Sequence, residues 1–276
     1  MNSQEAHVSA DPFTAALERL RAEGHTLETL LRGLSAEDWH KPTPAVGWTI
    51  AHQIAHLRWT ETAALTALRD PDAFESYRQA AAEHPGEFVD AAAAEGAQLP
   101  GEELLATWIA SRDTLADALA QADQQVRMPW FGPGMKPRSM ITARIMETWA
   151  HGQDVAMTLG ATWPATDALK DIAHLGIATR QFTYRNNDVE PPTSELYVEL
   201  TGPADQVWTW GDPAAENRVR GSAWDFALLV TQRAELADLD LEITGHDAAQ
   251  WASIAQAFAG APKSVVRARQ AEEHNV

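Results

Sequence analysis

Two short stretches gather the side chains best suited to chemistry: Gly47-Trp48-Thr49-Ile50-Ala51-His52-Gln53-Ile54-Ala55-His56-Leu57 and Arg144-Ile145-Met146-Glu147-Thr148-Trp149-Ala150-His151-Gly152-Gln153-Asp154. On a helix, residues four apart share a face, so Glu147 and His151 can aim a carboxylate oxygen and an imidazole nitrogen at one point. Asp154, three residues on, stays on that face. His56 stands in another stretch of helical pattern that can pack alongside. Two ligands from one helix and one from its neighbour is how helical bundles build metal sites. Nitrogen and oxygen donors suit Zn²⁺ best, with Ni²⁺, Fe²⁺ or Mn²⁺ as alternatives. Three protein ligands leave a coordination position open, the arrangement of catalytic rather than structural sites.

The spacing alone is weak support. Among 10 His and 39 acidic residues, chance supplies roughly 1.4 acid-x-x-x-His pairs. The chain has two such pairs, Glu147/His151 and Glu242/His246. His52/His56 is the only His-x-x-x-His, where chance supplies roughly 0.3. A lone histidine is more often a satisfied or surface side chain than a ligand.

Neighbouring residues carry paired readings. His52 can be a fourth ligand, a proton handler or a packed side chain. Asp154 can move a proton, orient a ligand histidine or bond within its helix. Arg144 can hold an anionic substrate or pair with Glu147. Trp130 and Phe131 can roof a substrate pocket or anchor their loop, and Trp59 lies one turn beyond His56. Gly152 inside a helix is unfavourable against Ala by about 1 kcal/mol, which calls for close approach of a helix or ligand.

The elements that must position these groups are helices. From Pro12 to Leu34, Phe13, Leu17, Leu20, Gly24, Leu27, Leu31 and Leu34 repeat at spacings of three and four, one continuous seam. Helices are predicted over about 49–68, 101–122, 137–160 and 166–185, with a weakly patterned Ala-rich excursion over 71–94. Pro137 suits a first turn and Gly160 a C-terminal cap. Short connections favour an up-and-down bundle. Two prolines and two glycines keep 128–134 irregular. After Pro191-Pro192 the chain alternates as strands do: 195–200, 206–210, 218–220 and 239–244, with helices at 222–233 and 246–259. The expected fold is mainly α: a four-helix bundle over 12–188, then a small α+β domain over 192–262. Residues 1–11 and 263–276 read as loosely held ends.

Composition narrows the function classes. The complete absence of cysteine excludes a disulfide framework, an iron–sulfur cluster, a thiolate zinc site and a cysteine nucleophile. Thiol chemistry would need a thiol brought in as cosubstrate. A net charge of −18 opposes a nucleic-acid partner or an anionic membrane. No apolar run approaches the length of a membrane span, and the N-terminus lacks the basic start and apolar core of a signal peptide. A cytoplasmic protein acting on a small molecule is expected.

Residues 12–160 resemble the DinB-like bundle of the mycothiol-dependent maleylpyruvate isomerase superfamily, through Gly-Trp-Thr-Ile-Ala-His-Gln-Ile-Ala-His-Leu at 47–57 and Glu-Thr-Trp-Ala-His-Gly-Gln-Asp at 147–154. The likeness is greatest to an actinobacterial-type branch of metal-binding proteins with Thr-Pro-Ala-x-Gly-Trp, Pro-Trp-Phe-Gly-Pro and Trp-Thr-Trp-Gly. The C-terminal part is similar to the sterol-carrier-like module attached to these isomerases, also named for wyosine base formation. The resemblance implies His56, Glu147 and His151 as metal ligands. It also implies a low-molecular-weight thiol such as mycothiol, activated by the metal for S-transfer or thiol-assisted isomerisation of an electrophile. A hydrolase using metal-bound water and a non-catalytic metal or small-ligand binder are the alternatives. Such a bundle can stand alone or pair as a homodimer.

Overall fold

The computed structural model describes residues 11–83 and 87–262. It is mainly helical, with a small sheet layer after the bundle, as the patterning predicts. The ends expected to be loose lie, Asp11 apart, outside the described residues.

Four long helices make the bundle: α1 (Pro12–Leu31), α2 (Ile50–Arg69), α5 (Gly101–Gln121) and α6 (Pro137–Leu159). The excursion becomes two short helices, α3 (Glu75–Glu83) and α4 (Phe88–Gly96). α1 and α2 each pack against both α5 and α6, so α1 stands opposite α2, and α5 opposite α6, across the bundle. The long connections over 32–49 and 122–136 permit that crossing. Within α1 the seam from Phe13 to Leu31 is buried, Leu27 completely, and Gly24 lets the Arg112 side chain of α5 lie against it. α1 stops at Leu31, a turn earlier than its pattern, because Arg32 is extended and Gly33 takes a positive φ of 79°.

The last predicted helix divides into α7 (Ala168–Ala178) and α8 (Arg180–Asn186). The break is Thr179, whose hydroxyl contacts the Leu175 and Gly176 carbonyls and that of Gln256. Side-chain bonds of this kind compete with the helix ladder.

The sheet runs β1 (Leu196–Thr201), β2 (Val207–Trp210), β3 (Asn217–Ser222) and β4 (Leu241–Thr244), in spatial order β2-β1-β3-β4. β1 pairs antiparallel with β2 and parallel with β3, and β3 pairs antiparallel with β4. Val198, Leu200 and Val219 are fully buried, next to α9 (Ala223–Val230) and α10 (His246–Ile254). The layer docks on the bundle where Trp224 of α9 meets Trp149 of α6 edge to face at 5.4 Å. Arg233 fastens the joint with a 2.8 Å ion pair to Asp154.

Candidate metal centre

α2 and α6 cross with their polar residues facing one another. α6 begins with Pro137 in its first turn and ends at Gly160 in the left-handed conformation, so its register is set at both ends. α2 begins with a capping box: the Thr49 side chain accepts from the His52 backbone, and His52 Nδ1 accepts from the Thr49 N–H at 3.3 Å. This box satisfies helix-terminal N–H groups and engages the imidazole that was a candidate fourth ligand.

His56, Glu147 and His151 each bring one donor atom to a common point, all within 4.8 Å of one another. His56 Nε2 lies 3.4 Å and His151 Nε2 3.2 Å from the same oxygen, Oε2 of Glu147. Ligands bound to Zn²⁺ at about 2.1 Å in tetrahedral array stand about 3.4 Å apart, so the donor set fits a divalent ion. Protonation fits as well. Burial pushes the His151 imidazolium down to about 4, against the pull of Glu147, leaving a neutral ring near pH 7. Burial pushes the Glu147 carboxyl up, but the His151 and His56 imidazoles set against it and the Arg144 charge outweigh it and hold it well below the usual carboxylate range. A neutral imidazole and an ionised carboxylate are the ligand forms a cation requires.

Around this point the sequence candidates divide. Arg144, 4% exposed, sits on the other oxygen of Glu147, with Nη2 3.9 Å from Oε1 and its guanidinium 5.6 Å above the Trp130 ring. No acceptor among the described residues meets its Nε or Nη1. Trp59 stands 6.2 Å from the His56 ring and stacks on Phe131 at 5.8 Å, and Trp130 stacks on Phe74 at 5.6 Å. These rings join Tyr77 and Phe88 in one aromatic wall, the loop being pinned by paired Met128–Met135 backbone bonds of 2.9 Å. Asp154 turns away from the ligand histidines to Arg233. Gly152 admits neither helix nor ligand but the Trp163 indole, which a Cβ would meet at 2.2 Å. Trp163 itself donates to the buried Glu23 of α1.

Three residues without an assigned role prove central. Trp48 stacks on His151 at 5.9 Å, lies 5.3 Å from His56, and donates to Asp90 of α4. Gln53, fully buried, bonds His151 Nδ1, an orienting role for which Asp154 was one candidate. Glu61 accepts from Trp108 Nε1 and Ser111 within the α2–α5 contact. Burial pushes its carboxyl up to about 8, against Ser111, Arg144 and Trp108. Their signal was position in the motif-bearing helix or, for Trp48, just before it, nothing more.

Comparison with known proteins gives the chain its relatives. Residues 20–156 match the family described as the mycothiol maleylpyruvate isomerase N-terminal domain. An uncharacterised protein of Mycobacterium tuberculosis (strain CDC 1551 / Oshkosh) is 49% identical over 251 residues, covering 91% of this chain and 96% of that one. Its counterpart in strain ATCC 25618 / H37Rv matches equally. Among solved structures, a mycothiol-dependent maleylpyruvate isomerase superposes with a TM-score of 0.57 at 18% identity, over 81% of this chain and 90% of that chain. A histidine-to-alanine mutant of that enzyme gives the same score over 84% and 93%. These structures share the fold. Among the described residues, no helix is long and apolar enough to cross a membrane.

Proposed function

The chain belongs to the DinB-like superfamily of mycothiol-dependent maleylpyruvate isomerases, and from that premise we propose that it is a metal-dependent enzyme joining a small-molecule thiol to an electrophilic small molecule. The observation that carries the reading is the meeting of His56, Glu147 and His151 from two helices. A divalent ion, Zn²⁺ by the chemistry of the donors, would supply the positive charge that lowers a thiol's pKa into the physiological range.

The protein's own groups do the rest. Glu147 shares its two oxygens between the histidines and Arg144. Arg144 offers N–H donors that meet no acceptor among the described residues to an anionic group of the substrate. Trp59, Trp130 and Phe131 bound the substrate on its apolar side and limit water. His52, which caps α2 through Nδ1, keeps Nε2 for exchanging a proton. Asp154 takes a holding role, tying Arg233 and the sheet layer to α6. We read that layer as the sterol-carrier-like module of these isomerases. Addition of the thiol to the electrophile then ends in a lasting S-conjugate or, if the thiol leaves again, in an isomer. The absence of cysteine from the chain means the thiol arrives as cosubstrate, mycothiol in this family's chemistry.

The test is metal analysis of protein purified without chelator, then thiol titration of the Co²⁺-substituted form. One zinc-class ion per chain and a thiol-dependent change in the cobalt spectrum are expected. Failure to retain any divalent ion sinks the proposal. Indifference to thiols together with accelerated ester or amide cleavage replaces it with a hydrolase.

A further inference from the structure

A hydroxyl group has one proton to give, and counting protons gives the direction of a half-buried chain of hydrogen bonds. Thr43 Oγ1 lies 2.9 Å from the Trp48 carbonyl, an acceptor only, so the hydroxyl proton goes there. Thr43 Oγ1 must then accept from its other partner, the Gln53 side chain at 2.9 Å, which therefore presents Nε2. The amide's oxygen is turned the other way, onto His151 Nδ1. Reversing the amide would spend the Thr43 proton on Gln53 and leave two oxygens, Thr43 Oγ1 and the Trp48 carbonyl, in contact with no proton between them. The Trp48 carbonyl also accepts from the Thr43 N–H at 2.8 Å, so the cost of the reversed amide is that bare oxygen–oxygen contact at 2.9 Å, not an empty acceptor.

We propose that Gln53 is a positioning residue that locks His151 in the tautomer with hydrogen on Nδ1, its direction set by Thr43 and the Trp48 carbonyl. Nε2 then carries the lone pair that faces Glu147 Oε2 at 3.2 Å. Two electron-pair donors at that distance suit a cation between them. The partner matters chemically, because a neutral amide orients the ring without adding negative charge to the centre. A carboxylate in its place would make the histidine a stronger donor and the ion a weaker acid. Among the described residues His56 has no such support, its Nδ1 being buried without a partner. The same relay ties the Trp48 backbone, and with it the indole stacked on His151, to the ligand. Side-chain identity in the 42–49 turn thereby reaches the centre without touching it.

The inference rests on the metal reading only in its affinity arm. In metal-free protein labelled with ¹⁵N-histidine, long-range ¹H–¹⁵N correlation reads the tautomer directly, the ring being assigned by loss of its signals in His151→Gln. Wild type should show Nδ1 protonated, and Gln53→Leu should shift toward a mixture. Competition with a zinc chelator should show Gln53→Leu weakened about 10- to 100-fold. Gln53→Glu, which restores an acceptor, should bind as tightly as wild type or more so. An Nε2–H tautomer in wild type overturns the proposal. So does undiminished zinc affinity in Gln53→Leu, or a loss in Gln53→Glu as large as in Gln53→Leu. Should Gln53→Leu fail to fold, Thr43→Val keeps the volume and removes only the hydroxyl; an unaltered tautomer in that variant overturns the relay. A wild type with Nδ1–H that takes no zinc sinks the metal reading and leaves the relay standing.

Discussion

In the sheet layer, the buried polar side chains serve the backbone. Asn217 accepts from the Asp247 and Ala248 N–H groups that open α10, Thr231 donates to the Ala227 carbonyl, and Gln256 donates to those of Phe258 and Gly260. Each closes a turn or cap the fold would otherwise leave open. Along α2 and α6 the buried polar groups instead face one another: His56, Glu147, His151, Gln53 and Arg144. They come from positions as far apart as 53 and 151, and Arg144 keeps donors without an acceptor among the described residues. Burying charge in that manner is expensive unless pairing is complete. The difference separates polarity that finishes a fold from polarity held ready for a ligand.

The largest effect that can break this contrast is on metal retention. Glu147→Gln removes the oxygen shared by both histidines and should reduce bound zinc from about one ion per chain to background. Val219→Ala, in the fully buried centre of the sheet, should cost about 2 kcal/mol in denaturant unfolding and leave the metal content unchanged. Equal metal loss in both variants, measured by elemental analysis, would dissolve the distinction.

Next in size is the buried carboxyl of Glu61. Its pKa stands near 8 in the fold against 4.5 as the ordinary value, so the folded form keeps a proton that the unfolded form releases. Stability therefore falls as pH rises from about 4.5 to about 8, and the whole penalty is present above that window. Glu61→Gln keeps an acceptor for Trp108 and Ser111 and cannot ionise. It should be more stable than wild type at pH 8 by a few kcal/mol, the gap closing toward pH 4.5. Parallel stability–pH curves would show that the site's polarity carries no such cost.

A smaller effect probes the wall behind His151. Gly152 gives way to the Trp163 indole, which a Cβ would meet at 2.2 Å. Gly152→Ala should cost about 1–3 kcal/mol by overpacking. Because the indole presses on the residue that follows a ligand, a modest loss of zinc affinity should accompany it. Full affinity in a destabilised variant would show that the centre is insulated from its packing.

Much of this architecture is written locally. The three-four spacing of the α1 seam, the proline opening α6 and the alternation of β1 follow from periods the chain displays, and Glu147 with His151 follows from one helical turn. What sequence could not show is set by distant partners. Gln53 reads as one more polar residue until α6 lies against it, 98 positions away. Asp154 sits on the ligand-bearing turn, yet Arg233 claims it. Gly152 announces a close approach but not by what. Trp48 lies between a turn glycine and a cap threonine, and only the packing of α2 on α6 sets its ring over two histidines.

The smallest predicted effect lies where α6 ends. Gly160 closes the helix with φ 63° and ψ 27°, its N–H reaching the carbonyls of Ala156 and Met157. A Cβ there would meet nothing within 4 Å, so no packing is lost and only the left-handed conformation resists a side chain. Gly160→Ala should therefore cost about 1 kcal/mol in unfolding free energy, and Gly160→Asn less, since asparagine tolerates this region. Zinc affinity should not move in either variant, because Glu147 and His151 lie two turns or more before the cap. If Gly160→Ala weakens zinc binding while costing so little stability, the register of α6 is held from its end rather than by its packing on α2. The contrast between a finished fold and a waiting site would then have to include the caps.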